Sequence, residues 1–160
     1  MDILEIKDLE TLAQKRVPKM FFDYVNSGSW TETTYNENIS DFQKIKLRQR
    51  VAIDMSNRTL ATKMVNQSVS MPVAIAPTGL TGMQRADGEI LAAQAAEEFG
   101  IPFTLSTMSV CSIEAVAEKT KKPFWFQLYV MKDKKFMARL IDRAKAVSYT
   151  HLRAHETHID

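Results

Sequence analysis

Four polar residues near the ends of two apolar runs could hold a ligand between them. They are Thr104 and Ser106 in Pro102-Phe-Thr-Leu-Ser106, and Gln127 and Tyr129 in Pro123-Phe-Trp-Phe-Gln-Leu-Tyr-Val130. Hydroxyl and amide groups hydrogen-bond a neutral polar ring system. In the turn Pro77-Thr78-Gly79, the glycine lets backbone approach such a flat ligand closely. The other reading of the same residues is that they are ordinary polar groups satisfied at strand ends, and pattern alone leaves both open. Cys111, between Val110 and Ser112, reads as a small buried filler, because the first 150 residues hold no histidine to activate it.

All three histidines, His151, His155 and His158, lie in the last ten residues. Spacings of four and three put them on one face of a helix, which invites a zinc reading. The zincin signature requires glutamate directly after the first histidine, and Leu152 stands there. No metal site is therefore expected, and a small metal-binding or interaction protein using this tail is the remote alternative. Val147-Ser-Tyr-Thr-His-Leu-Arg-Ala-His-Glu-Thr157 reads instead as a frame through the transposon-end adaptor used in preparing sequencing libraries. Residues 147–160 are set aside from fold reasoning as a non-native tail.

The elements that must position the strand-end groups follow from periodicity. In the first seventy residues Asp8 is placed to cap a helix carrying Leu9, Leu12, Ala13 and Val17. Pro18 ends it or opens a second helix with Met20, Phe21, Tyr24 and Val25, which stops at Asn26-Ser27-Gly28. A third, polar helix covers 33–45, and Lys46–Val51 and Val69–Met71 are strand candidates. From Met71 the pattern alternates. Met71–Pro77, Pro102–Ser106 and Pro123–Val130 read as buried strands. Helices follow each: Gly88–Phe99 with Leu91, Ala95 and Phe99 four apart, one capped by Ser112, and one capped by Asp133 with Phe136, Met137, Leu140, Ile141 and Ala144 as its stripe.

Such alternation means a parallel sheet covered by helices, either doubly wound or closed into a barrel. No glycine-rich dinucleotide fingerprint follows the first strand, which favours the barrel. Parity agrees. Phe124, Phe126, Leu128 and Val130 are apolar while Gln127 and Tyr129 face the other way, and Phe103 and Leu105 oppose Thr104 and Ser106. One face packs on helices, and the other gathers polar groups at the strands' C-terminal ends, where barrel active sites sit.

Composition narrows the class. The chain is 45% hydrophobic and 25% charged, with 21 basic against 19 acidic residues, so nothing suggests a nucleic-acid partner. Lys44, Lys46, Arg48 and Arg50 read as a solvated face or a support for a partner loop. Apolar stretches of about seven residues fall far short of the roughly 20 that span a bilayer, and the acidic N-terminus lacks a secretory layout. One cysteine fits a reducing compartment.

Leu47-Arg-Gln-Arg50, Ser70-Met-Pro-Val-Ala-Ile-Ala-Pro-Thr-Gly79, Gly100-Ile-Pro-Phe-Thr-Leu-Ser-Thr107, Ser109-Val-Cys-Ser-Ile-Glu114 and Trp125-Phe-Gln-Leu-Tyr-Val130 together carry a resemblance. Over residues 1–146 the sequence resembles the FMN-dependent 2-hydroxy acid dehydrogenase and oxidase family, most of all its bacterial quinone-linked, lactate-oxidising branch. The resemblance implies an incomplete (β/α)8 TIM barrel. Residues 1–70 would be a helical lead-in and 71–146 the first three βα units. It implies FMN as cofactor, held at Pro77, Thr78, Gly79, Ser106 and Gln127, with Tyr24 and Tyr129 binding the substrate's carboxylate and hydroxyl region. The implied reaction is oxidation of an L-2-hydroxy acid, L-lactate foremost, to the 2-keto acid with electrons passed to quinone. The alternative is an oxidase using oxygen, and Met108 near the mouth would bear on substrate size.

The family's catalytic histidine and arginine, and a lysine for the reduced flavin, belong to later strands. The expectation is thus an N-terminal fragment, itself inactive, of a homo-oligomeric enzyme. Such an enzyme would be cytoplasmic or peripheral on the inner face of the membrane.

Overall fold

The computed structural model describes residues 3–147 and 152–155 and divides into two units, residues 1–58 and 59–160. The first holds three helices: α1 (Ile6–Arg16), α2 (Lys19–Val25) and α3 (Thr33–Lys44). Glu5 rather than Asp8 caps α1, and Asp8 sits at the third helical position, its carboxylate accepting the Leu4 and Glu5 N–H groups at 2.8 and 3.1 Å. Pro18, lacking an N–H, separates α1 from α2 at the position where that loss costs nothing. Phe22 is the buried side chain of α2, and α1 and α3 bury none. The strand expected at Lys46–Val51 does not form. Alternation alone makes no strand where no neighbouring chain supplies a ladder.

The second unit opens with an antiparallel hairpin, β1 (Thr62–Met64) and β2 (Gln67–Val69), so the second strand candidate lies two residues earlier than its sequence suggested. Val65 and Asn66 turn it with φ of 45° and 63°, the positive pair that a two-residue loop needs. Met71–Pro77 is extended, but its ladder shrinks to one parallel bridge, Ile75 to Phe103. There Ile75 N–H donates to Pro102 O at 2.8 Å, and Thr104 N–H to Ile75 O at 3.1 Å. The short helix α4 (Thr81–Gln84) and then α5 (Gly88–Phe99) lead to β3 (Thr104–Ser106). After it come α6 (Ile113–Glu118), β4 (Trp125–Tyr129), α7 (Lys134–Ala146) and β5 (Leu152–His155).

The sheet runs β3-β4-β5, all parallel, with Ile75 bridging the outer side of β3. Strands therefore neighbour one another in chain order, as a barrel requires and a doubly wound sheet, which reverses, does not. β5 falls in the tail that fold reasoning set aside. An open parallel edge pairs with an extended segment through backbone groups, whatever its side chains. The side chains of His151, His155 and His158 lie outside the described residues.

Packing bears out the parity except at Val130, which lies past the end of β4 and is exposed. Phe103, Leu105, Phe124, Phe126 and Leu128 form one core with Ala93 and Ala96 of α5, Ile113 and Val116 of α6, and Leu140 and Ala144 of α7. Phe103 and Phe124 meet edge to face at 6.4 Å. The expected stripe of α5 does not face this core, since Leu91, Ala95 and Phe99 are exposed. Alanines on the neighbouring side let the helix lie closer to the strands than Leu and Phe would. Both expected caps form: Ser112 Oγ accepts the Ala115 N–H, and Asp133 accepts those of Lys135 and Phe136.

Candidate active site

Register brings the polar residues together. Thr104 pairs with Trp125 and Ser106 with Gln127, so these side chains share the face opposite the helices. Thr104, Ser106 and Gln127 are all at most 3% exposed. Ser106 Oγ donates to Gln127 Oε1 at 3.0 Å while accepting the Met108 N–H at 3.1 Å. Gln127 Nε2 is buried and has no hydrogen-bond partner among the described residues. Such a group costs about 1–3 kcal/mol when left unsatisfied. Trp125, on the same face, donates from Nε1 to Gln67 Oε1 at 3.1 Å.

Thr107, which sequence reasoning passed over, closes the end of the β3-β4 ladder. Its Oγ1 donates to Gln127 O at 2.5 Å and accepts the Tyr129 N–H at 3.2 Å. The hydroxyl replaces a ladder bond where β3 stops and holds the backbone of Tyr129, whose ring is half-buried. The strand-end hydroxyls of Thr104-Leu-Ser-Thr107 were the available signal.

The turn Pro77-Thr78-Gly79 comes to the same end of the sheet. Leu80 N–H donates to Met108 O at 2.9 Å, and Thr81 Oγ1 to Thr78 O at 3.1 Å. Pro77 and Gly79 are half-buried, and Thr78 and Met108 exposed. Tyr24, on α2 in the first unit, is 59% exposed. A cavity of about 290 Å³ lies at the opposite end of the strands, lined by Val69, Gly100, Phe103 and Phe124 among others. Sites of this architecture lie at the C-terminal ends of strands, where Ser106 and Gln127 stand, so the cavity is not the candidate site.

Glu89 also escaped sequence reasoning. It is 2% exposed, and its Oε1 accepts the N–H groups of Gly82 at 3.1 Å and Val110 at 2.9 Å. Burial alone would push its carboxyl up. The N–H donors outweigh burial and hold it below the usual range, the Val110 bond foremost. Cys111 beside it is pushed up, first by burial and then by the Glu89 anion, and it is half-buried where its neighbours in the sequence suggested a buried filler. The available signal was spacing: Glu89, Ala93 and Ala96 recur on one face, an acid within the buried stripe.

Comparison with known proteins places this geometry. Residues 13–154 match the profile of the FMN-dependent dehydrogenase family. The chain belongs to that family. It is 50% identical over 145 residues to the L-lactate dehydrogenase of Acinetobacter baumannii, an alignment covering 91% of this chain and 38% of the relative. It superposes with a TM-score of 0.90 on a soluble mutant of the membrane-associated (S)-mandelate dehydrogenase of Pseudomonas putida, at 36% identity, covering 96% of this chain and 44% of that one. A mandelate oxidase follows, with a TM-score of 0.85 and 28% identity over 92% of this chain and 43% of the other.

The chain thus spans about two fifths of the length of these family members. Its fold is that of the first units of a (β/α)8 barrel behind a helical segment. FMN is the family's cofactor. The site fits it: a buried amide donor lacking a partner, a hydroxyl that orients it, and a glycine-containing turn at the same rim suit the polar edge of a flat ring system.

Proposed function

We propose that this chain supplies the N-terminal part of an FMN-dependent oxidoreductase that oxidises L-lactate to pyruvate and passes the electrons to quinone. The observation that carries the reading is the unpartnered, buried Gln127 Nε2, held as a donor by Ser106 on the polar face of the sheet. When bound, FMN supplies the two-electron acceptor that no side chain can provide.

The chain's own residues bind and orient. Gln127 and Ser106 hold the ring's polar edge, and Pro77, Thr78 and Gly79 bring backbone against its face. Tyr129, anchored through Thr107, takes the substrate's carboxylate and hydroxyl region. The part of Tyr24 in that contact rests on the family resemblance alone. Proton removal and the main carboxylate grip belong to the histidine and arginine that the resemblance places on later strands. Lactate as substrate is supported by the 50% identity to a lactate dehydrogenase. Among the described residues no helix is long and apolar enough to cross a membrane. A place in the cytoplasm or at the periphery of the inner membrane face is supported by the likeness to a membrane-associated (S)-mandelate dehydrogenase, and a homo-oligomeric state by the family resemblance alone.

The test is a hybrid. Residues 1–146 joined to the remainder of the Acinetobacter baumannii enzyme should bind FMN and reduce a quinone with L-lactate. Hydrogen peroxide produced at a comparable rate would support the oxidase reading instead, and a folded hybrid without bound flavin would refute both.

A further inference from the structure

We propose that Glu89 is a positioning residue. Its buried carboxylate ties the segment that follows Met71–Pro77, residues 78–82, to the turn after β3, residues 107–110, and so fixes Gly79 and Met108 at the rim. Its importance for catalysis rests on the function proposed above; the clamp itself does not.

Four observations converge on this. One oxygen of Glu89 accepts N–H groups from both turns, Gly82 at 3.1 Å and Val110 at 2.9 Å. A buried carboxylate with no cation is costly, and no ion pair to Glu89 occurs among the described residues; the two charge-assisted bonds on Oε1 offset part of that cost, while Oε2 is buried with no hydrogen-bond partner among those residues. Two glycines are needed for the approach. A Cβ on Gly82 would stand 2.7 Å from Val110 Cβ and 3.1 Å from Glu89 Oε2, and one on Gly88 would stand 2.8 Å from Thr81 O. Finally, Leu80, the residue after Gly79, has φ of 56° and is held by its N–H bond to Met108 O. Such left-handed backbone in a branched residue persists only where the surroundings over-determine it. The clamp on the next turn supplies that constraint.

The titratable groups around the carboxylate are Cys111, from the turn after β3, and Asp87, at the cap of α5.

The test follows backbone amide shifts of the full chain by NMR as pH is lowered. The Gly82 and Val110 amides should move together with one midpoint below the usual glutamate range, and Leu80 and Met108 should follow. In Glu89→Gln that shared titration should vanish and the Leu80 amide should shift. In Gly82→Ala, which obstructs the approach and keeps the carboxylate, Val110 should lose its titration too. As a second readout, iodoacetamide should alkylate Cys111 about threefold faster or more in Glu89→Gln, because loss of the neighbouring anion raises the thiolate fraction.

Flat Gly82 and Val110 shifts, or shifts with unrelated midpoints, would overturn the clamp. If Glu89→Gln does not fold, the wild-type titration alone decides. FMN is absent from this experiment. A shared titration beside a hybrid that ignores lactate would sink the proposed function and leave the clamp, and flat shifts beside an active hybrid would do the reverse.

Discussion

Ser106 Oγ donates to Gln127 Oε1 at 3.0 Å across adjacent parallel strands, and that bond decides which end of the amide is left over. Ser106 Oγ accepts the Met108 N–H and gives its one proton to Gln127. The amide oxygen is thus occupied, and Nε2 is the group presented unpaired. A site polarised in this way favours an acceptor on the ligand.

Ser106→Ala removes the orienting proton and leaves Gln127 Oε1 short of its donor. The loss should be about 1.4 kcal/mol in FMN binding, a tenfold weaker Kd in the hybrid enzyme. Titration followed by quenching of flavin fluorescence measures it. An unchanged Kd would mean that the amide orientation does not matter to the flavin.

Gln127→Leu separates stability from function. It removes a buried unsatisfied donor, a gain of about 1–3 kcal/mol, and leaves the buried Ser106 hydroxyl without its acceptor, a loss of about the same size. Without flavin the variant should be no less stable than wild type in urea, whereas FMN binding in the hybrid should fall by two orders of magnitude or more. Loss of stability in the flavin-free chain would show that the residue is structural.

Arg143 of α7 grips Glu114 of α6 with two bonds of 2.7 Å, and these hydrogen bonds lower the Glu114 carboxyl to about 2. Since the folded value lies below the unfolded one, the contribution is full above pH 4.5 and is lost as pH falls toward about 2. Both side chains are half exposed, so its size should be at most about 1 kcal/mol. Urea unfolding of wild type and Arg143→Ala should differ by that amount at neutral pH and converge in strong acid. A gap that persists in acid would assign the effect to packing.

Leu105, wholly buried between β4 and the helices, is the core position whose loss should cost most. Leu105→Ala should destabilise by about 2–5 kcal/mol, read from the urea midpoint at constant slope. A cost under 1 kcal/mol would show that this core is loosely packed.

Much of this was legible in the sequence because strands announce themselves by alternation. Phe126 against Gln127, and Leu105 against Ser106, already told which face meets helices and which gathers polar groups. The caps at Ser112 and Asp133 were readable for the same local reason. Contacts that depend on two distant turns meeting were not. Glu89 looks like an acid in a helix's first turn until Gly82 and Val110 close on it, and Leu91 and Phe99 looked like a core stripe although alanines fill that role. Thr107 was hidden because its hydroxyl replaces a ladder bond that only the end of β3 creates. Tyr24 drew notice as a site residue through family resemblance, since a half-exposed helix aromatic carries no periodic signal of function.

The central claim is most directly tested by anaerobic addition of L-lactate to the FMN-loaded hybrid carrying residues 1–146 of this chain. The flavin's visible absorbance should bleach with L-lactate and not with D-lactate. A folded hybrid that holds FMN and keeps its full absorbance with L-lactate would contradict it.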